Sequence, residues 1–193
     1  KGKVYQLDLA KAAEHFRKAH KGKLWEKGFR FTLCYNSGNV PRQNLAQILK
    51  RGVESANPKF KIDVRPVEWP TFLDATNAHK LPIFIMGWSA DFPDAHNLAF
   101  PLLHSRGDFA ERARFKNPEF DALIDKAELE TNPDKRAELY RKLIALAYDF
   151  VPNLVILDHF RFRTQRDWVK GWYHNPIIAD SPYGSYYYPM SKQ

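Results

Sequence analysis

The segment Gly87-Trp88-Ser89-Ala90-Asp91-Phe92-Pro93-Asp94 puts an indole and two carboxylates within eight residues, behind a glycine that permits close approach to the backbone. This combination suits a cation. A partly desolvated carboxylate forms a charge-assisted bond with an ammonium group, and an indole face adds about 0.5 to 2 kcal/mol through its quadrupole. The same residues admit a plainer reading, in which Asp91 or Asp94 caps a helix running through Leu98 and Leu102 and Trp88 sits in the core. Composition alone leaves both readings open.

Two other chemistries have residues to draw on. Asp91, Asp94 and His96, with His104 further along, hold enough oxygen and nitrogen donors for a metal-dependent hydrolase, but no histidine pair at i, i+4 and no cysteine pair accompanies them. Nucleophilic catalysis has less support, because Ser37-Gly38 and Ser181-Pro182 lack a Gly-x-Ser-x-Gly elbow, and no glycine loop suited to phosphate is present. The chain is basic, with 30 Lys and Arg against 22 Asp and Glu, for a net charge of +8. Bases such as Lys11, Arg17, Lys18, Lys21, Lys23, Arg161, Arg163 and Arg166 are scattered, with no run of five or six. A basic nucleic-acid-binding module, stacking bases on Trp168, Trp172 and Tyr173, is therefore an alternative supported by charge alone.

Helices and strands must position these groups. Asp8 is a capping acceptor for a helix whose stripe is Leu9, Ala12, Ala13 and Phe16. Residues Arg30–Tyr35 alternate as a strand, and Pro41 opens a helix that turns Leu45, Ile48 and Leu49 to one face. In the next strand Phe60, Ile62 and Val64 point one way while Lys61, Asp63 and Arg65 point to water. After a short helix from Trp69-Pro70, the charge-free run Leu81–Met86 reads as a central strand covered on both faces. Asn117-Pro118 and Asn132-Pro133 start two helices with stripes Phe120, Leu123, Ile124, Ala127 and Tyr140, Leu143, Ile144, Ala147. A strand at Leu154–Leu157, another from Phe160 to Thr164 and an irregular Tyr-rich tail complete the reading. Strands alternating with helices predict a partly parallel α/β layer, whose ligands bind beyond the carboxyl ends of the strands. At 193 residues, 44% hydrophobic and 27% charged, the chain is long enough for one sizeable core, and it has no apolar run near the roughly 18 residues of a spanning helix. Its single Cys34 cannot form an internal disulfide.

Gly87–Asp94 resembles the Trp-x-Ala-Asp-Tyr/Phe-Pro-Asp signature of family 5 solute-binding proteins, the receptors of oligopeptide, dipeptide and nickel ABC importers. Tyr5, Asp8 and Lys11-Ala12 resemble the helix that opens the family's C-terminal lobe. Glu68-Trp69 with Phe72, Asn117–Asp121, Arg136, Leu139, Tyr140, Pro152, Gly171 and Asn175-Pro176 follow its order.

The resemblance implies an α/β fold of the type II periplasmic-binding-protein kind, with a mixed sheet flanked by helices. Residues 1–193 would be the single C-terminal lobe of a two-lobed protein, and 177–193 a tail that packs on the missing N-terminal lobe. It implies a receptor rather than an enzyme, with no cofactor and no metal. Peptide or another small solute is trapped between lobes and passed to ABC permease subunits, with no nucleic acid involved. The expected compartment is periplasmic or extracellular, with lipid anchoring of the full-length protein as one form. By the same resemblance Asp91 anchors a ligand ammonium, Trp88 is the neighbouring aromatic, and the Ser89 and Ala90 backbone pairs with an extended peptide. Where some peptide-binding members carry an arginine before the Trp, this strand has Ile83, Phe84, Ile85 and Met86.

Overall fold

A computed structural model describes residues 6–156, 164–173 and 189–192. Helix α1 (Leu9–Lys18) starts where the Asp8 carboxylate accepts the Lys11 N–H at 2.8 Å. A 3-10 turn (Ala19–Gly22) and α2 (Lys23–Lys27) lead into strand β1 (Phe29–Asn36). Helix α3 (Val40–Ala56), capped by Asn39 with Pro41 in its first turn, crosses to β2 (Phe60–Val67). Then come α4 (Trp69–Asn77) and β3 (Ile83–Ile85). The sheet order is β2-β1-β3, and both pairings are parallel. β-α-β crossovers produce this layout, because a parallel neighbour needs a long return connection.

Alternation in the sequence sorts the two faces. Leu33, Tyr35 and Ile62 bury themselves with Ala46 of α3, and Leu49 and Val53 pack around them. On the other face Cys34 is fully buried, and Phe84, its partner in register, meets the edge of Phe72 from α4. Lys61, Asp63 and Arg65 stay wet, and Asp63 takes a two-pronged bond from Arg30 across the strand pair. Gly28 has φ +74, and a Cβ there would lie 2.4 Å from the Lys59 carbonyl oxygen, so only glycine lets β1 start this close to β2.

Residues Lys1–Gly87 form one unit and Trp88–Gln193 another. The second contains α5 (His96–Leu103), α6 (Asp108–Arg112), α7 (Pro118–Leu129) and α8 (Pro133–Phe150), then a short antiparallel ribbon of β4 (Val169–Lys170) and β5 (Ser191–Lys192). Asn117 and Asn132 cap α7 and α8 as their Asn-Pro starts predict. Phe120, Ile124, Ala127, Leu139, Tyr140 and Leu143 form this unit's core with Ala99 of α5.

Several expectations need correction. Among the described residues β1 is the central strand and β3 lies at the edge, with Ile83 44% exposed. Freedom from charge along Leu81–Met86 signals apolar surface, but strand position depends on pairing, which periodicity does not encode. Leu154–Ile156 are not a strand, and neither is Thr164, while 157 and 160–163 lie outside the described residues. Leu9, Ile48 and Ile144 fall off their buried stripes; Ile144 is 66% exposed because α8 turns Leu139, Tyr140 and Leu143 inward instead. Helices α2 and α6, five residues each, are too short to leave a periodic signal. Antiparallel pairing, implied by a mixed sheet, is confined among the described residues to β4 and β5. Of the tail 177–193, only 189–192 are described.

Candidate functional site

Met86 and Gly87 lead out of β3, and Trp88 opens the second unit. No regular element holds Trp88–Ala95, so its shape depends on hydrogen bonds to the start of α5 and on one arginine from α8. Asn97 holds the loop twice. Its main-chain oxygen accepts the Trp88 indole N–H at 2.7 Å, and its side-chain oxygen accepts the Asp91 backbone N–H at 2.8 Å. The Trp88 ring meets Phe109 edge to face with centroids 5.7 Å apart, yet the residue is 39% exposed. With its N–H bound and one edge packed, the indole is fixed in orientation while part of it stays open to solvent.

The two aspartates take different parts. Asp94 receives the Arg136 guanidinium on both oxygens at 2.8 and 2.9 Å, and its Oδ1 also accepts the His96 N–H at 2.7 Å. Arg136 donates its Nε–H to the Ala127 carbonyl oxygen at the end of α7, so one side chain ties α7, α8 and the loop together. The Arg136 bonds and the His96 N–H hold the Asp94 carboxyl below the ordinary aspartate range against partial desolvation, and the same pair raises Arg136. Asp91, by contrast, is exposed, and its carboxylate has no hydrogen bond or ion pair among the described residues. Ser89 is exposed and Ala90 half-buried, and the main-chain groups of both make no hydrogen bond among the described residues. Of the plainer reading, neither part holds as stated: the N-cap of α5 is Ala95, with no side-chain capping bond, and Trp88 is not in the core, while Asp94 is structural through Arg136 and the His96 N–H.

The donors for a metal do not converge. Asp94 is occupied by Arg136, and His104 lies buried against Phe100, its Nδ1 accepting the Arg106 N–H and its Nε2 3.3 Å from Asp125. Among the described residues no three His, Cys, Asp or Glu side chains form a metal-holding group. Arg161 and Arg163 of the basic, aromatic cluster lie outside the described residues, and Lys192 places its ammonium 4.8 Å from the centre of the Trp168 ring.

Sequence reasoning missed Asn97, whose role depends on a backward bond across six residues, and Phe109, whose contact is tertiary. It also missed Arg42 in the first unit. This half-buried arginine near the carboxyl end of β1 donates to Asn36 Oδ1 at 2.7 Å and has no acidic partner among the described residues. Burial lowers its pKa.

The first unit is thus a parallel α/β layer, and the loop that opens the second leaves the Trp88 ring partly open and the Asp91 carboxylate without a partner among the described residues. The chain belongs to the bacterial extracellular solute-binding proteins of family 5, whose model "family 5 Middle" matches residues 1–110. It is 33% identical over 129 residues to heme-binding protein A of Haemophilus influenzae, covering 65% of this chain and 24% of that protein. Over 157 residues it is 27% identical to di/tripeptide-binding protein 4 of Pseudomonas aeruginosa, covering 78% and 29%. Two solved structures share the fold with a TM-score of 0.78: Haemophilus influenzae OppA in complex with the peptide RPPGFSPFR (19% identity, 95% of this chain, 34% of that one) and a Pseudoalteromonas dipeptide-binding protein with Met-Leu (23%, 97% and 36%). The fold is thus α/β of the type II periplasmic-binding-protein class. The chain spans about a quarter to a third of the length of these relatives.

Proposed function

We propose that the chain is the C-terminal, ligand-binding lobe (residues 1–193) of the substrate-binding protein of an ABC importer, and that its solute is a peptide with a free amino terminus. The Asp91 carboxylate, three residues from the partly open Trp88 ring and without a partner among the described residues, carries this reading, because Asp94, the only other acid in the loop, is already taken by Arg136. Asp91 pairs with the ligand ammonium and Trp88 walls it from one side. The unbonded main chain at Ser89 and Ala90 accepts an extended peptide by strand addition, which gives affinity without reading side chains. In this reading the protein works outside the cytoplasmic membrane, either free or lipid-anchored. A second lobe completes the enclosure, permease subunits receive the solute, and no bond of the solute is made or broken. Relatives named for haem, di- and tripeptides, oligopeptides and deoxycholate supply the test panel.

The test is thermal unfolding of the full-length receptor with each panel member and with N-acetylated copies of the peptides. A solute at about one hundred times its Kd stabilises the folded state by about 2.7 kcal/mol. The expected result is stabilisation by free peptides and its loss on acetylation, which removes the ammonium. Equal stabilisation by acetylated and free peptides, or by haem or deoxycholate alone, refutes the reading.

A further inference from the structure

Charge is divided unevenly along the chain. Residues 1–87 carry 16 Lys and Arg against 7 Asp and Glu, a net +9, whereas residues 88–193 carry 14 against 15, a net −1. Within the first unit, Arg17, Lys18, Lys21, Lys23, Lys27 and Lys59 lie at or beside the amino end of the sheet. Helix α1, the 3-10 turn and α2 pack together there, and α2 runs into β1 at Phe29. Gly28 touches Lys59, which precedes β2, and the Lys59 ammonium reaches the Glu26 carbonyl oxygen. Phe16 and Trp25 plug this end against Phe60, and Arg17 lies over the Trp25 ring at 4.4 Å. Around them Lys18, Lys21, Lys23, Lys27 and Lys59 are all exposed. The acids nearby are Glu14, paired with Lys18, Asp63, paired with Arg30, and Glu26, while Lys21, Lys23 and Lys27 have no ion pair among the described residues.

From this we infer that the amino end of the β1–β2 pair is a docking surface for an anionic phospholipid bilayer. Charge complementarity points to an anionic partner, and the residue type selects the bilayer. Protein interfaces deplete lysine and favour arginine and aromatic residues, which fix geometry. Here the free charges are lysines, compact and strongly hydrated on flexible stems. Such groups suit a fluid array of phosphates with no fixed positions, and each contributes a factor of about five to partition onto an anionic leaflet. The surface lies at the opposite end of the strands from Asn36, so lipid contact here leaves the carboxyl end of the sheet free. The inference does not depend on which solute is carried.

Sedimentation of the full chain with vesicles of phosphatidylglycerol and phosphatidylcholine, against phosphatidylcholine alone, tests it. The wild-type chain should pellet with the anionic vesicles only and be released in about 1 M salt, where screening reaches about 3 Å. The triple variant Lys21→Gln, Lys23→Gln, Lys27→Gln should lose about 100-fold in partition. A control with Lys116→Gln, Lys126→Gln and Lys135→Gln should match wild type. Equal binding to neutral vesicles, no binding to anionic ones, salt-resistant binding, or equal loss in the control each overturns the inference. If the triple variant does not fold, the wild-type vesicle and salt results still decide it.

Discussion

Asp91 and Asp94 are three residues apart and chemically identical, so exchanging each for asparagine separates support from ligand contact. Asp94→Asn keeps an oxygen for the His96 N–H but gives up the charge on a two-pronged bond at 2.8 and 2.9 Å. Bonds to charged groups are worth about 1.5 to 3 kcal/mol. With both partners close to 30% exposed, solvent screening brings the expected loss to about 1 to 2 kcal/mol. For a chain of this size that is about 2 to 8 °C in Tm. Asp91→Asn removes a carboxylate with no partner among the described residues and should change stability by no more than about 0.5 kcal/mol. Urea unfolding of both variants, followed by tryptophan fluorescence, measures the difference. The pH dependence follows from the sign of the shift. Because folding depresses the Asp94 pKa, its contribution is fully present above the ordinary aspartate value of about 3.9 and is lost as pH falls through the folded value. The gap between wild type and Asp94→Asn should therefore be flat near neutrality and close on acidification. Equal destabilisation by the two variants, or a gap that persists once the carboxyl is protonated, would refute the division of roles.

Asn97→Ala removes the acceptor for the Asp91 N–H but keeps the main-chain oxygen that holds Trp88. It should cost about 0.5 to 1.5 kcal/mol and raise amide hydrogen exchange at Asp91 while leaving the indole fluorescence maximum in place. Trp88→Ala in the full-length receptor should weaken an amine-bearing solute by about 0.5 to 2 kcal/mol by calorimetry, and should also lower stability by about 1 to 3 kcal/mol, because it removes the bond to the Asn97 carbonyl oxygen and the Phe109 contact. Gly28→Ala forces a Cβ against the Lys59 carbonyl oxygen in a left-handed backbone, and denaturation should show a loss of at least about 1 kcal/mol. Phe120→Ala opens the fully buried centre of the α7–α8 core and should cost about 3 to 5 kcal/mol in the same assay.

What the sequence determined by itself was local. Asp8, Asn117 and Asn132 cap the helices they precede because capping is settled within three residues. The alternation Phe60, Ile62, Val64 predicts the wet and dry faces of β2 because a strand repeats every two residues. The Trp-to-Asp segment was legible as a family signature, and residues 1–110, which include it, match that family's model. Tertiary structure decided what depends on distant partners. It placed β1 rather than Leu81–Met86 at the centre of the sheet, because order is set by which strands pair. It turned Ile144 outward, since two adjacent stripes of α8 were apolar enough to face the core and only packing against α7 chose between them. It also told two equal carboxylates apart: an arginine 42 residues downstream binds Asp94 and not Asp91, a difference of environment that no property of either residue encodes.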